Sequence, residues 1–449
     1  MARPRPDGPG APAGAHETMA PGDRASYLWG TSMRAPAASF PAALAVLAAL
    51  ATPARAEMPI APAPPAAPRA PVAPVAPPAE FLADAQLFYR VVACGGTAPL
   101  PATLDAPTID KHCAEMAKRY ASYRTRYLAP AAAFFAGVRP AGLPTTVVYP
   151  FGGGDLSSAL VTYPDAREIT TISLEHAGDP TRLAGLSKAG LRTALAAYRD
   201  AVNGLMTLND STSENMRKLE RGGIPGQLSF HLMGMTANGF EPVSLRYFAI
   251  TDDGGLRYLT AADVVALAPK KARKKKGGWV DTDFSEAFTN MELTFRKAGD
   301  PAAPVIVHRH VAANLASGAF VGSPLATHLA AKGKVVALTK AASYLLWLDG
   351  FSGIRDYLLA NMAWMASDAT GIPPRLAKKA GFEQVTYGTF TAAFLTDASP
   401  AVNTQMVALW AGQPRRRLPF RYGYPDADKH VHLMLTRPAA AAGPGRGAR

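Results

Sequence analysis

Cysteine is almost missing from this chain: Cys94 and Cys113 are the only two in 449 residues. With His112 as the one further ligand type nearby, they do not make a recognisable metal set, and no metal is expected. Neither G-x-S-x-G nor H-E-x-x-H occurs, which removes the nucleophile elbow and the zincin helix from consideration. Neither cysteine has the setting of a nucleophile. The apolar run from Phe40 to Leu50 is too short for a stable membrane span, which takes about 20 residues.

That run instead has the form of an export signal. Met33-Arg34 supplies a short positive start, the run itself is Ala, Leu and Val, and Pro53-Ala54-Arg55-Ala56 ends in an A-x-A cleavage pattern. The expectation is a signal peptide over 33–56, cut after Ala56, and a periplasmic or secreted protein with no transmembrane anchor in its mature form. Residues 1–32 read as a misassigned leader. Residues 57–79 are Pro/Ala-rich and nearly uncharged, a polyproline-like spacer. Residues 80–437 form one domain, and 438–449 a frayed tail.

Export changes the reading of the cysteines. In an oxidising compartment a nearby pair tends to be joined, so a Cys94–Cys113 bridge is expected. The charge also narrows. Six of the thirteen net positive charges fall in one run, Lys270, Lys271, Arg273, Lys274, Lys275 and Lys276. An anionic envelope surface could be held by such a run; the plain alternative is a solvated insertion between strands. It has no interleaved aromatics for stacking on bases, and nucleic acid is not an expected partner.

Periodicity predicts helices over Phe81–Val92, Thr108–Phe135, Leu156–Val161, Arg182–Met206, Ala341–Leu348 and Ser352–Met362, with Ser352 as an N-cap. Glu214–Met235 is helical with a break at Gly222-Gly223-Ile224-Pro225. Buried strands are predicted at Thr145–Tyr149, Glu168–Leu174 and Lys334–Leu338, and further strands at Phe288–Lys297, Val305–Val311 and Val431–Leu435. Asp252-Asp253-Gly254-Gly255 marks a hairpin. Tyr120, Tyr123 and Tyr127 recur at helical spacing, as an apolar face against the core. The fold class is α/β: a Rossmann-like βαβ core, a helical N-terminal part and a β-rich middle insertion.

Chemistry is best sought in the strand–glycine turn–helix–strand unit from Thr145 to Glu175. A glycine turn lets a ligand approach the backbone, and an acidic residue at the end of the second strand is where such folds hold a ribose. Asp155 opposes a pyrophosphate and suits a cationic ligand better, as in S-adenosylmethionine-dependent methyltransferases. Gly152-Gly153-Gly154 is not G-x-G-x-x-G, and both cofactor types are cytosolic, so no cofactor is expected. The plain alternative is a tight turn with Asp155 capping the helix. Lys340, at the end of a buried strand, and Arg355, a partner for Asp368, complete a candidate cleft of Tyr149, Asp155, Glu175, Lys340, Arg355 and Asp368. His308-x-His310 and His430-x-His432 could join as a zinc site only if their strands were neighbours.

The chain resembles a family of uncharacterised exported bacterial proteins. The resemblance rests on Tyr149-Pro150-Phe151-x-Gly153-x-Asp155, Tyr163-Pro164-Asp165-Ala166, Leu174-Glu175, Lys340-Ala341-Ala342-Ser343-Tyr344-Leu345, Phe351-Ser352-x-Ile354-Arg355, Asp368-x-x-Gly371-Ile372-Pro373 and Arg421-Tyr422-Gly423-Tyr424. Together they cover the domain from about Val147 to Leu435. Family members carry Pro where this chain has Gly154, and are more acidic around Asp368. The resemblance implies a shared fold and export, with no established activity. The expected role is therefore a non-catalytic binding or structural one in the envelope. The alternative is an enzyme, methyltransferase-like or a hydrolase, built around Asp155 and Glu175.

Overall fold

In the computed structural model the described residues are 76–207, 212–268, 285–340, 342–368, 370–390, 400–422 and 431–439. The export signal, the lysine run, His430 and Gly423-Tyr424 lie outside them. The fold is mixed α/β. Among the described residues ten strands form one sheet: β1 (Thr146–Pro150), β2 (Glu168–Ser173), β3 (Phe240–Ile250), β4 (Leu256–Tyr258), β5 (Asn290–Lys297), β6 (Ile306–Ala312), β7 (Val335–Thr339), β8 (Met362–Ser367), β9 (Phe382–Gly388) and β10 (His432–Pro438). Their order is β4-β3-β5-β6-β2-β1-β7-β8-β10-β9.

The centre, β6-β2-β1-β7-β8, is parallel throughout. Its strands are short; β1, β7 and β8 are mostly apolar on both faces, as strands covered on two sides tend to be, while β2 buries Thr170 and Thr171 and β6 buries His308 and His310. β1 shows the division: Val147 and Tyr149 face one core cluster and Val148 the other. The β-rich middle is an antiparallel edge of the same sheet, β4-β3-β5, joined to β6. On the other side β10 runs antiparallel between β8 and β9.

One face carries α1 (Leu82–Val91), α2 (Ala106–Tyr123), α3 (Ala129–Val138), α4 (Leu156–Thr162), α5 (Lys188–Thr207), α6 (Thr212–Arg221) and α7 (Gly226–Asn238). The other carries α8 (Pro324–Ala330), α9 (Ser352–Asn361) and α10 (Pro374–Lys379). The long helix predicted over Thr108–Phe135 is interrupted by a π turn at Arg124–Leu128. Pro130 has no N–H for the i→i−4 ladder and its ring crowds the preceding turn, so the ladder widens ahead of it. Ala129 N accordingly donates to Arg124 O.

Three readings are corrected. The helix predicted at Ala341–Leu348 is a 3₁₀ turn, Ser343–Trp347. Ser352 is the first residue of α9, not its cap, and its hydroxyl pairs with Ser317 Oγ at 3.1 Å. His308 and His432 sit on β6 and β10, with β2, β1, β7 and β8 between them, so those histidines cannot share a metal. Cys94 and Cys113 are disulfide-bonded, with Cα atoms 5.3 Å apart. No helix among the described residues is long and apolar enough to cross a membrane.

Candidate functional site

Parallel strands place the residues that follow them at one edge. Phe151–Asp155 follow β1, Glu175 follows β2, Lys340 follows β7 and Asp368 follows β8. From β1 the chain builds the sheet first toward β2, then returns to place β7 on the other side. Open α/β sheets bind ligands at such a reversal.

Asp155 and Lys340 meet there. Asp155 caps α4, its Oδ1 accepting from Ser158 N at 3.2 Å. Its Oδ2 takes Lys340 Nζ at 3.1 Å and Tyr149 OH at 3.1 Å. Lys340 Nζ also donates to Ser158 Oγ at 3.0 Å. It lies 5.1 Å from the Tyr127 ring centre and 5.5 Å from that of Tyr422, so two aromatic faces line the ammonium. Tyr127 OH pairs with Ser158 Oγ at 2.8 Å, and Tyr123 OH donates to Ser157 Oγ at 3.2 Å. Both charged groups are buried. Burial, reinforced by the Asp155 charge, pushes the phenols of Tyr127 and Tyr149 up, so both stay protonated.

The remaining cleft candidates are engaged elsewhere. Arg355 Nη1 donates to the carbonyls of Leu346 at 3.1 Å and Leu348 at 3.5 Å, and its Nε stands 3.8 Å from Asp356. Asp368 Oδ1 accepts from Thr370 N and Oγ1 at 3.0 and 2.8 Å. Glu175 is half-buried and its carbonyl accepts from His310 Nε2 at 2.8 Å. Its neighbour Leu174 is 71% exposed.

The glycine turn is packed from within. A Cβ on Gly154 would fall 2.5 Å from Phe230 Cβ, and one on Gly234 would fall 3.0 Å from Ser157 N. α7 therefore lies directly on the turn and on the start of α4. His231 Nε2 bonds the Gly153 carbonyl at 3.2 Å. Phe151 holds φ +60°, a conformation that costs a non-glycine residue about 1–2 kcal/mol. Its ring stands edge-on to Phe351 with centres 5.7 Å apart.

Three participants were not legible as site residues. Ser158 had no motif around it. Tyr127 looked like packing, which it also is. His231 is a lone histidine in an apolar helix, yet it belongs to a buried cluster with His308 and His310. One group of potential metal ligands converges among the described residues, Cys94, His112 and Cys113. Its sulfurs are joined to each other, and His112 is bonded to Val92 O at 2.9 Å and Arg199 Nη1 at 3.1 Å.

No family model, curated protein or solved structure matches the chain.

Proposed function

We propose that the chain is an exported envelope protein with a non-catalytic role, its α/β domain serving as a scaffold and its lysine run as the contact to an anionic envelope surface. The observation that carries this reading is the packed glycine turn: the approach a cofactor would use beside Gly154 is taken by Phe230 of α7. The acid and base nearest that turn, Asp155 and Lys340, are already each other's partners. The disulfide accords with an oxidising compartment, and so with the export signal at 33–56. Ser285 Oγ donates to Leu267 O at 3.1 Å, which joins the described residues on either side of the lysine run. Six cations on one such segment favour a negatively charged surface over a neutral one.

Cosedimentation with vesicles tests this. The mature protein is expected to bind vesicles rich in anionic phospholipid, to ignore zwitterionic ones, and to dissociate as salt rises. Deleting 270–276 should abolish the binding. Unchanged binding after the deletion, or no binding at the start, overturns the adhesion role.

A second reading is favoured by one observation. Numbered along the chain, the seven strands β1, β2, β6, β7, β8, β9 and β10 lie in the order third, second, first, fourth, fifth, seventh, sixth, with the seventh reversed. That order resembles a doubly wound, Rossmann-like sheet with an added reversed strand, and it supports the methyltransferase-like alternative. Calorimetric titration with S-adenosylmethionine separates the two readings: the scaffold reading expects no heat of binding, the enzyme reading saturable binding that Glu175→Ala weakens.

A further inference from the structure

Three imidazoles are fully buried beside the glycine turn. His231 comes from α7, His308 and His310 from β6. The ring centres of His231 lie 4.4 Å from His308 and 5.4 Å from His310. Their hydrogen bonds fix their tautomers. His310 Nε2 faces the Glu175 carbonyl, an acceptor, so it carries the proton and Nδ1 is bare. Thr171 Oγ1, 3.2 Å from that Nδ1, therefore donates to it. The same hydroxyl oxygen, 2.9 Å from His308 Nε2, must then accept, so His308 Nδ1 is bare. His231 Nε2 donates to Gly153 O, which leaves His231 Nδ1 bare as well. The Nδ1 atoms of His231 and His308 meet no partner among the described residues.

We propose that His231, His308 and His310 form a proton-operated latch, which holds α7 on the glycine turn while all three are neutral and releases it on acidification. A proton on any bare nitrogen places a charge in an apolar pocket among two further imidazoles, with no acceptor at Nδ1 of His231 or His308. Water relieves that charge if α7 lifts from the turn. Lifting α7 removes Phe230 from Gly154 and exposes the end of β1 where Asp155 and Lys340 stand.

The groups around the cluster set the balance. Burial, and then the neighbouring rings, push His231 and His308 well below the ordinary imidazole value; Arg309 adds to this at His308. Burial holds His310 at about 4, with its bond to Glu175 O and the Glu175 charge opposing and His176 assisting. Among the charged groups on the packed elements, Asp155 pairs with Lys340, Glu292 of β5 with Arg246 and Arg309, Glu168 of β2 with Arg309 and Lys332, Glu241 of β3 with Arg296, and Lys218 of α6 with Asp200. On α1, burial first and then the charge of Asp179 raise the Asp84 carboxyl above its ordinary value.

Amide hydrogen exchange by mass spectrometry, corrected for the intrinsic pH dependence, tests the latch. Protection of Gly152–Asp155 and Phe230–Gly234 should fall about tenfold per pH unit for each proton the open form takes up below its ordinary imidazole pKa, while the strands β7 and β8 stay protected. His231→Gln keeps an amide donor for Gly153 without a titrating ring and should flatten that loss. Constant protection across this range, or loss only together with the whole sheet, overturns the proposal. If the variant does not fold, ring NMR of the wild-type histidines decides: three rings titrating at the ordinary value overturn it, as does a stoichiometric metal ion held at the two Nδ1 atoms.

Discussion

Lys340 Nζ and Asp155 Oδ2 stand 3.1 Å apart, one following β7 and the other following β1, where the sheet reverses its direction of growth. Two charges are withdrawn from water and compensated by Ser158, Tyr149 and two aromatic faces. Breaking one side leaves the other charge unpaired. Lys340→Met should cost about 3–5 kcal/mol in denaturant unfolding, and adding Asp155→Asn should recover a large part of it. A double variant that loses the sum of the two single losses would show that the pair is not coupled.

Gly154→Ala brings a methyl group to within 2.5 Å of Phe230 Cβ. The turn or α7 must shift, and a loss of about 1–3 kcal/mol is expected from overpacking. Adding Phe230→Ala keeps that Cβ but removes the ring atoms Cδ2 and Cγ, at 2.8 and 3.0 Å, so the double variant should cost less than the sum of the two single losses. Unfolding midpoints of the four proteins read this coupling directly.

Stability should fall on the acid side. His112 and His310 are held at about 4, in each case by burial first, against an ordinary value of 6.5. The unfolded chain therefore binds protons at a higher pH than the folded one, and stability drops as pH falls from 6.5 toward 4. For His310 alone the full effect is about 3 kcal/mol. Glu168 adds to the same trend further down: burial opposes its ionisation, but Lys332 and Arg309 outweigh it and hold the carboxyl below its ordinary range. His310→Gln should flatten the slope between pH 6.5 and 4 in unfolding titrations.

Reducing the disulfide should lower stability by about 3 kcal/mol, because the bridge spans 19 residues of chain and restrains the unfolded state. Cys94→Ser with Cys113→Ser should behave like the reduced protein. Thermal unfolding with and without reductant measures both.

How much of this was legible depended on whether the signal was local. β1, α4 and β2 follow from apolar runs around a glycine turn, and Asp155 as an N-cap follows from its place before Leu156. The hairpin of β3 and β4 was written in Asp252–Gly255. The Cys94–Cys113 bridge followed from proximity in the chain. What failed was long-range. Gly154 looked open to a ligand because nothing local says that Phe230, far along the chain, would pack on it. The pairing of Arg355 gave way to backbone carbonyls of the preceding 3₁₀ turn, a turn that periodicity had read as a helix. β9 was missed, since Phe382–Gly388 mixes charged and apolar residues at a partly exposed sheet edge.

The most direct measurement is the native mass of the protein recovered from the export compartment of the producing cell. The expected species begins at Glu57, is two hydrogens lighter than the reduced chain because Cys94 and Cys113 are joined, and carries no bound small molecule. A chain that retains its leader, or one that leaves the compartment with an adenosyl cofactor or a dinucleotide attached, would contradict an exported scaffold whose glycine turn is filled by its own helix.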